Sequence, residues 1–302
     1  MTTPIIETPS AAGAMLNGPV MKGRWPTIIG GFLTLAMTIG VVRALLVHGV
    51  AGLSAALPDS VFFYLAFAVL YAASPIGDYV IFRRLWAIPP SGLTALFKKR
   101  IANDVLVGYS GEAYFYAWAR QRTTMVAAPF GAVKDVSILS AIAGNVVTLA
   151  IVLLALPFAN GLIGPDEFRV LAASAAVVIA ISLPFLIFSR RVFSLARPLL
   201  WWIFLIHILR LVVSSVMLAV AWHFAMPAVS LGMWLLLSAG RMLASRLPLV
   251  PNKDLLFANF AILLIGQGQQ TANLVAVTAA LTLVVHVVLM AVFGVLDVLR
   301  NR

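Results

Sequence analysis

Long apolar runs alternate along the chain with short polar connections, many of them basic. A helix that crosses the hydrocarbon core of a bilayer needs about 20 mainly apolar residues. Runs of that kind cover Pro26–His48, Pro58–Phe82, Asp135–Ala159, Phe168–Phe188, Leu199–Phe224, Val229–Ala244 and Thr271–Leu296, and each predicts a span. An eighth run, Asp254–Ile265, is short; the Pro-containing Leu247–Lys253 precedes it and the polar Gly266–Gln270 follows it. Residues 1–25 are rich in Pro, Ala, Gly and Thr and predict a disordered cytoplasmic segment before a transmembrane domain over 26–302. The first apolar run exceeds the roughly 7–15 residues of a cleavable signal, so it reads as an uncleaved helix.

The basic residues orient these runs. Lys22 and Arg24 precede the first. Arg83, Arg84, Lys98, Lys99, Arg100, Arg120, Arg122 and Lys134 lie between the second and third, and Arg190, Arg191 and Arg197 follow the fourth. Arg246 and Lys253 follow the sixth, and Arg300 and Arg302 come last. The connections Gly49–Leu57, Asn160–Glu167 and Ala225–Ala228 contain no Lys or Arg. Cytoplasmic connections carry the excess of Lys and Arg, so both termini are expected in the cytoplasm. An even number of crossings then requires Asp254–Ile265 to cross as well.

The connection from Arg83 to Lys134 is too long for a simple loop. Leu93, Leu96, Phe97 and Ile101 stand at helical spacing, Val107–Gly111 breaks the pattern, and Glu112–Arg120 resumes it with Tyr114, Phe115, Tyr116 and Trp118. Half-length helices joined by a Gly-rich turn describe a re-entrant hairpin, which needs protein or water around its irregular backbone. The other reading is a helix pair lying on the cytoplasmic surface with its aromatic residues in the interface. The later half of the chain has its own irregular element, Pro248–Asn259. Paired interruptions of this kind point to transport sites in repeat-built transporters. The expected architecture is an all-α bundle of about eight spans plus this hairpin.

Composition excludes the soluble alternatives. Hydrophobic residues make up 62% and charged residues 10%, against roughly a quarter charged in soluble domains; mean hydropathy is +1.04. The net charge of +11 follows the connections and forms no basic stripe, so no nucleic-acid partner is expected. With no cysteine, thiolate chemistry and disulfides are excluded. No HExxH, clustered carboxylates or nucleotide loop is present, so neither metal nor cofactor is expected.

Ionisable groups at membrane depth are costly and therefore candidates for function. Asp104 and Glu112 flank the Gly108/Gly111 turn. His207 and Arg210 share one face of the Leu199–Phe224 run. Arg210 is central in that run, where it meets either a lipid phosphate or a carboxylate; an internal ion pair that fixes helix packing is the equal alternative. Asp78 is expected to pair with Arg83 or Arg84 near the cytoplasmic end of its span. His48, His223 and His286 stand alone and read as packing residues. The sharpest expectation is that Glu112 and Arg210 face one polar cavity.

The stretch Asn103-Asp104-Val105-Leu106-Val107-Gly108-Tyr109-Ser110-Gly111-Glu112, with the aromatic helix ending Trp118-Ala119-Arg120, resembles a segment of the lysylphosphatidylglycerol synthase transmembrane, or flippase-like, superfamily. That family has a later Leu-Pro element, and Leu247-Pro248-Leu249-Val250-Pro251-Asn252-Lys253-Asp254 stands in the equivalent place, with Pro251-Asn252-Lys253 where the family has a Pro-Gly-Gly-type turn. The resemblance runs from about Trp25 to Arg302. It implies lipid binding or translocation; lipid aminoacylation would need a further domain of hundreds of residues. It adds Asn103, Arg120, Asn252, Lys253 and Asp254 to Asp104, Glu112, His207 and Arg210 as candidate substrate-binding residues. The leading expectation is an integral protein of a cytoplasmic-type (inner) membrane that transports an anionic or amphiphilic lipid, with membrane lipids as its partners and no catalytic residues. The alternatives are an integral enzyme acting on a lipid headgroup and a non-catalytic membrane scaffold.

Overall fold

The computed structural model describes residues 57–106, 110–122, 129–159, 193–246 and 268–300, with positions 39, 169, 176, 177, 179 and 180 singly. All regular structure among the described residues is helical: α1 (Val61–Trp86), α2 (Ser91–Val105), α3 (Ser110–Arg122), α4 (Pro129–Ala159), α5 (Arg197–Ala225), α6 (Leu231–Arg246) and α7 (Gly268–Arg300). Helices long and apolar enough to cross a membrane are α1, residues Phe130–Ala150 of α4, α5, and residues Asn273–Leu296 of α7.

These coincide with the runs expected at Pro58–Phe82, Asp135–Ala159, Leu199–Phe224 and Thr271–Leu296, with one shift. α4 starts at Pro129, six residues before Asp135, because Phe130, Ala132 and Val133 continue its apolar pattern through Lys134. The run expected at Val229–Ala244 is realised as α6, whose 16 residues reach about 24 Å at 1.5 Å per residue. The segment 1–25 and the runs Pro26–His48, Phe168–Phe188 and Asp254–Ile265 lie outside the described residues, apart from the single positions above.

Large apolar side chains point outward in stripes. On α5 these are Trp201, Leu205, Leu209 and Val212; on α1, Val61, Leu65, Val69, Ile76 and Val80; on α7, Val288, Val292, Val295 and Leu299. The three- and four-residue steps mark one face of each helix. Apolar faces of that extent suit hydrocarbon and not water, so the protein is a helical membrane protein.

Inside, two apolar clusters lie along α1 and α5. One gathers Ile81, Phe82, Trp86, Leu96, Ile101, Phe115, Val133 and Ile203. The other gathers Phe63, Ala66, Leu218, Trp222, Trp234, Leu237 and Leu274. Between them, on both helices, falls a layer of polar side chains.

Helices α2 and α3 form the hairpin, and their contacts show its course. α1 ends at Ala87, whose φ of 49° is left-handed, a conformation that costs a non-Gly residue about 1–2 kcal/mol. The chain reverses there through Pro89 and Pro90, and α2 runs back alongside α1. Lys99 reaches Asp78, and Arg100 reaches Tyr71. Tyr71 lies 15 residues before the end of α1 at Trp86, about 22 Å along the helix. α3 then returns, with the Phe115 ring 4.6 Å from Phe82 and 6.2 Å from Trp86.

Asp135, fully buried, anchors the entry to α5. Its Oδ2 accepts the backbone N–H groups of Ser194 at 2.6 Å and Leu195 at 2.9 Å. Charge-assisted bonds of this kind contribute about 1.5–3 kcal/mol each. Asp135→Asn keeps the shape and removes the charge, so the midpoint of thermal unfolding in detergent should fall. An unchanged midpoint would mean the two bonds add nothing net to the bundle.

Candidate functional site

The polar layer is built on the sequence Ser74-Pro75-Ile76-Gly77-Asp78 of α1, and each residue type has a local consequence. Pro75 has no N–H, so the carbonyl of Tyr71 one turn earlier loses its helical donor. Arg100 from α2 supplies the replacement, donating through Nη1 to that oxygen with its guanidinium 4.2 Å from the Tyr71 ring centre. Gly77 leaves room for Arg210: a Cβ there would lie 3.0 Å from Arg210 Cδ. Ser74 and Asp78, four residues apart, face the same way and both accept from Arg210 Nη1, at 3.0 Å and 2.6 Å. Arg210 Nη2 donates to Ser140 of α4 at 2.6 Å. One guanidinium thus ties three helices together.

Asp78 has a second partner. Its Oδ2 lies 2.6 Å from Lys99 Nζ, and Lys99 in turn lies 3.3 Å from Glu112 Oε1. The result is an alternating chain, Arg210–Asp78–Lys99–Glu112, whose formal charges cancel. Lys99 is buried between the two carboxylates of Asp78 and Glu112, which supply its counter-charge. Glu112 Oε2 is buried and has no hydrogen-bond partner among the described residues.

The expected pairing of Asp78 with Arg83 or Arg84 is corrected by this geometry. Five and six residues along a helix turn the side chain by about 140° and 240°, away from the face that holds Asp78. Arg83 instead donates to Tyr79 Oη at 2.6 Å, and Arg84 stacks on Trp202 at 4.4 Å. Arg210 is likewise not an unpaired cation; of the readings weighed for it, the structure has the internal ion pair. In the sequence Lys99 reads only as one of the basic residues of the connection. The helical period was the signal for both omissions: Phe63, Phe67, Tyr71, Asp78 and Phe82 line one buried face of α1, and Lys99 falls between the buried Leu96 and Ala102 on α2.

The other candidates separate into groups. Glu112 and Arg210 belong to one network but are joined through Lys99 and Asp78. Asn103 is a hairpin residue, its Oδ1 accepting the Gly111 N–H at 2.8 Å, and beside it Ser110 Oγ donates to the Ala102 carbonyl. Asp104 lies on another face of α2, its Oδ2 3.4 Å from both Arg100 Nε and His286 Nε2. His207 is fully buried and bonds through Nε2 to the Val136 carbonyl at 3.1 Å, which joins α5 to α4. Arg120 lies in the last turn of α3, 3.3 Å from Tyr116 Oη. Asn252, Lys253 and Asp254 lie outside the described residues. Among the described residues no cluster of His, Asp and Glu has the composition of a metal site.

Compared with known proteins, the chain matches no family model, no curated protein and no solved structure.

Proposed function

We propose that the protein is a lipid transporter of the flippase-like type, in which the head of an amphiphilic lipid passes a charge-lined route beside the α2–α3 hairpin. The observation that carries this reading is the chain of ion pairs between α1, α5 and the hairpin, which ends on a buried carboxylate oxygen without a hydrogen-bond partner among the described residues. An unpaired buried acceptor is costly, and a donor on a passing headgroup would relieve it. Because the charges of the network cancel, a zwitterionic or amine-bearing head suits it better than a purely anionic one. Arg210 therefore positions Asp78, and Glu112 meets the cargo.

The course of the hairpin supports a re-entrant element, since Arg100 comes level with the middle of α1. Irregular backbone at that depth requires surrounding protein or a polar cavity. The motif resemblance to the flippase-like superfamily agrees with lipid handling. We extend the same reading to about eight spans in a cytoplasmic-type membrane with both termini inside, as the distribution of Lys and Arg indicates.

Reconstitution tests the proposal. Vesicles bearing the protein and a fluorescent-headgroup phospholipid are treated with a membrane-impermeant quencher, and leaflet exchange is timed. The protein should speed exchange at least about tenfold over empty vesicles, the equivalent of ~1.4 kcal/mol on the barrier. Glu112→Gln, at equal protein per vesicle, should return the rate towards that of empty vesicles. Exchange no faster than in empty vesicles would remove the transport reading. A new lipid species in the same vesicles would replace it with the enzyme reading. A Glu112→Gln protein that is scarce but fully active would make the network purely structural.

A further inference from the structure

A second group of ionisable side chains lies on the opposite flank of α2 and takes no part in the network around Asp78. His286 is 2% exposed and falls near the middle of the apolar stretch Asn273–Leu296 of α7. Its Nε2 lies 3.4 Å from Asp104 Oδ2, and that oxygen is also 3.4 Å from Arg100 Nε. The Asp104 side chain is 43% exposed. Among the described residues, the titratable or charged groups facing His286 are Tyr71 of α1, whose ring centre is 5.6 Å away, and Arg100 and Asp104 of α2.

One carboxylate oxygen is therefore shared by a permanent cation and a titratable one. At 3.4 Å a neutral imidazole makes little of a hydrogen bond, whichever ring nitrogen carries the proton. A protonated imidazole at the same distance forms an ion pair that draws α2 onto α7. The remaining ring contact between these helices is Phe97 with Phe293, at 6.4 Å between centres, and it is insensitive to charge. Of the contacts between α2 and α7, the one between Asp104 and His286 therefore changes with a single proton.

We propose that His286 and Asp104 form a proton-binding site whose occupancy docks and releases the hairpin against α7. The proton arrives from water at the half-exposed carboxylate of Asp104 and passes to Nε2 of His286. The pair then carries one more positive charge, and the proton leaves by the reverse transfer or from the ring once the contact opens. Because Lys99 is adjacent to Arg100 on α2, movement of α2 also moves the ion pair with Asp78 and the oxygen of Glu112. The site supplies a coupling proton to the transport reading given above and rests on that reading for its purpose, though not for its chemistry.

The test follows the hairpin directly. The chain has no cysteine, so Thr94→Cys on α2 and Val288→Cys on the outward face of α7 can each carry one spin label in the full-length protein in lipid nanodiscs. Distances between the labels are measured across a pH series after labelling is complete. Two distance populations should exchange in a single-proton transition along the series. The shorter distance should dominate on the acid side. His286→Gln should abolish the pH dependence, and so should Asp104→Asn, which changes a half-exposed position and leaves the helix core untouched. A distance distribution that ignores pH in the labelled parent overturns the proposal, as does a transition that survives in both variants. If the labels switch while no lipid changes leaflet in the vesicle assay, the proton site stands and the lipid reading falls. If lipid moves while the labels ignore pH, the reverse holds.

Discussion

Asp78→Asn should lower stability by about 3–5 kcal/mol, the usual result of removing one partner from a buried charge pair. Asp78 is 4% exposed and holds two cations, Lys99 and Arg210, each at 2.6 Å. Neutralising it leaves both without their main counter-charge, yet the two are not stranded equally. Lys99 keeps Glu112 at 3.3 Å. Arg210 keeps only the hydroxyls of Ser74 and Ser140 among its described hydrogen-bond partners. Removing the stranded cation should therefore rescue unevenly: Arg210→Met should recover more of the loss in the Asp78→Asn background than Lys99→Gln. Unfolding midpoints of the purified variants in one detergent measure this. Equal rescue by the two second substitutions would contradict the bonding described, and a single Asp78→Asn variant as stable as the parent would show that the pairs add nothing net.

Gly111→Ala is expected to open the hairpin. A Cβ at Gly111 would overlap the backbone carbonyl oxygen of Lys99 and stand 2.8 Å from Asn103 Oδ1. Backbone cannot swing aside as a flexible side-chain end can, so α2 and α3 must separate. The cost should be about 3 kcal/mol, at the upper end of the usual overpacking range. Separation also breaks the Asn103–Gly111 bond and draws Glu112, the next residue, away from Lys99. The observable result is a lower unfolding midpoint together with faster hydrogen exchange at the amides of α2 and α3 than at those of α5. Uniform loss of protection over all helices would argue for a general packing defect instead. Gly111→Ala with parental stability would mean that the two helices cross farther apart than the structure has them.

Much of the outline of the fold was legible without coordinates. The runs that became α1, α4, α5 and α7 declare themselves by length and apolarity, because lipid imposes its requirement on each segment separately. The break at Val107–Gly111 and the resumption at Glu112 were equally local, since a Gly-rich interruption of a 3.6-residue pattern is visible from neighbours alone. Glu112, Arg210, His207 and Asp104 stood out because each is an ionisable group in or beside apolar sequence.

The partnerships were another matter. Asp78 and Arg210 are 132 residues apart, and Asp78 and Lys99 are 21 apart. The helical period turns Arg83 and Arg84 to other faces of α1, but nothing local names the distant partners that Asp78 takes instead. Lys99 looked like one member of a basic cluster because charge counts have no direction. Ser74, Pro75 and Gly77 acquired meaning only once Arg100 and Arg210 were seen against them, one filling the carbonyl vacancy left by proline and the other the space left by glycine. His286, which reads as an isolated histidine, meets Asp104 only because α2 turns back along α1 and brings its last turn beside α7. Which segments lipid holds as helices can be read along the chain, since burial of a helix in hydrocarbon is settled by that helix's own side chains. Tertiary structure alone decided which charges neutralise one another, since ion pairing depends on the faces and depths that packing sets.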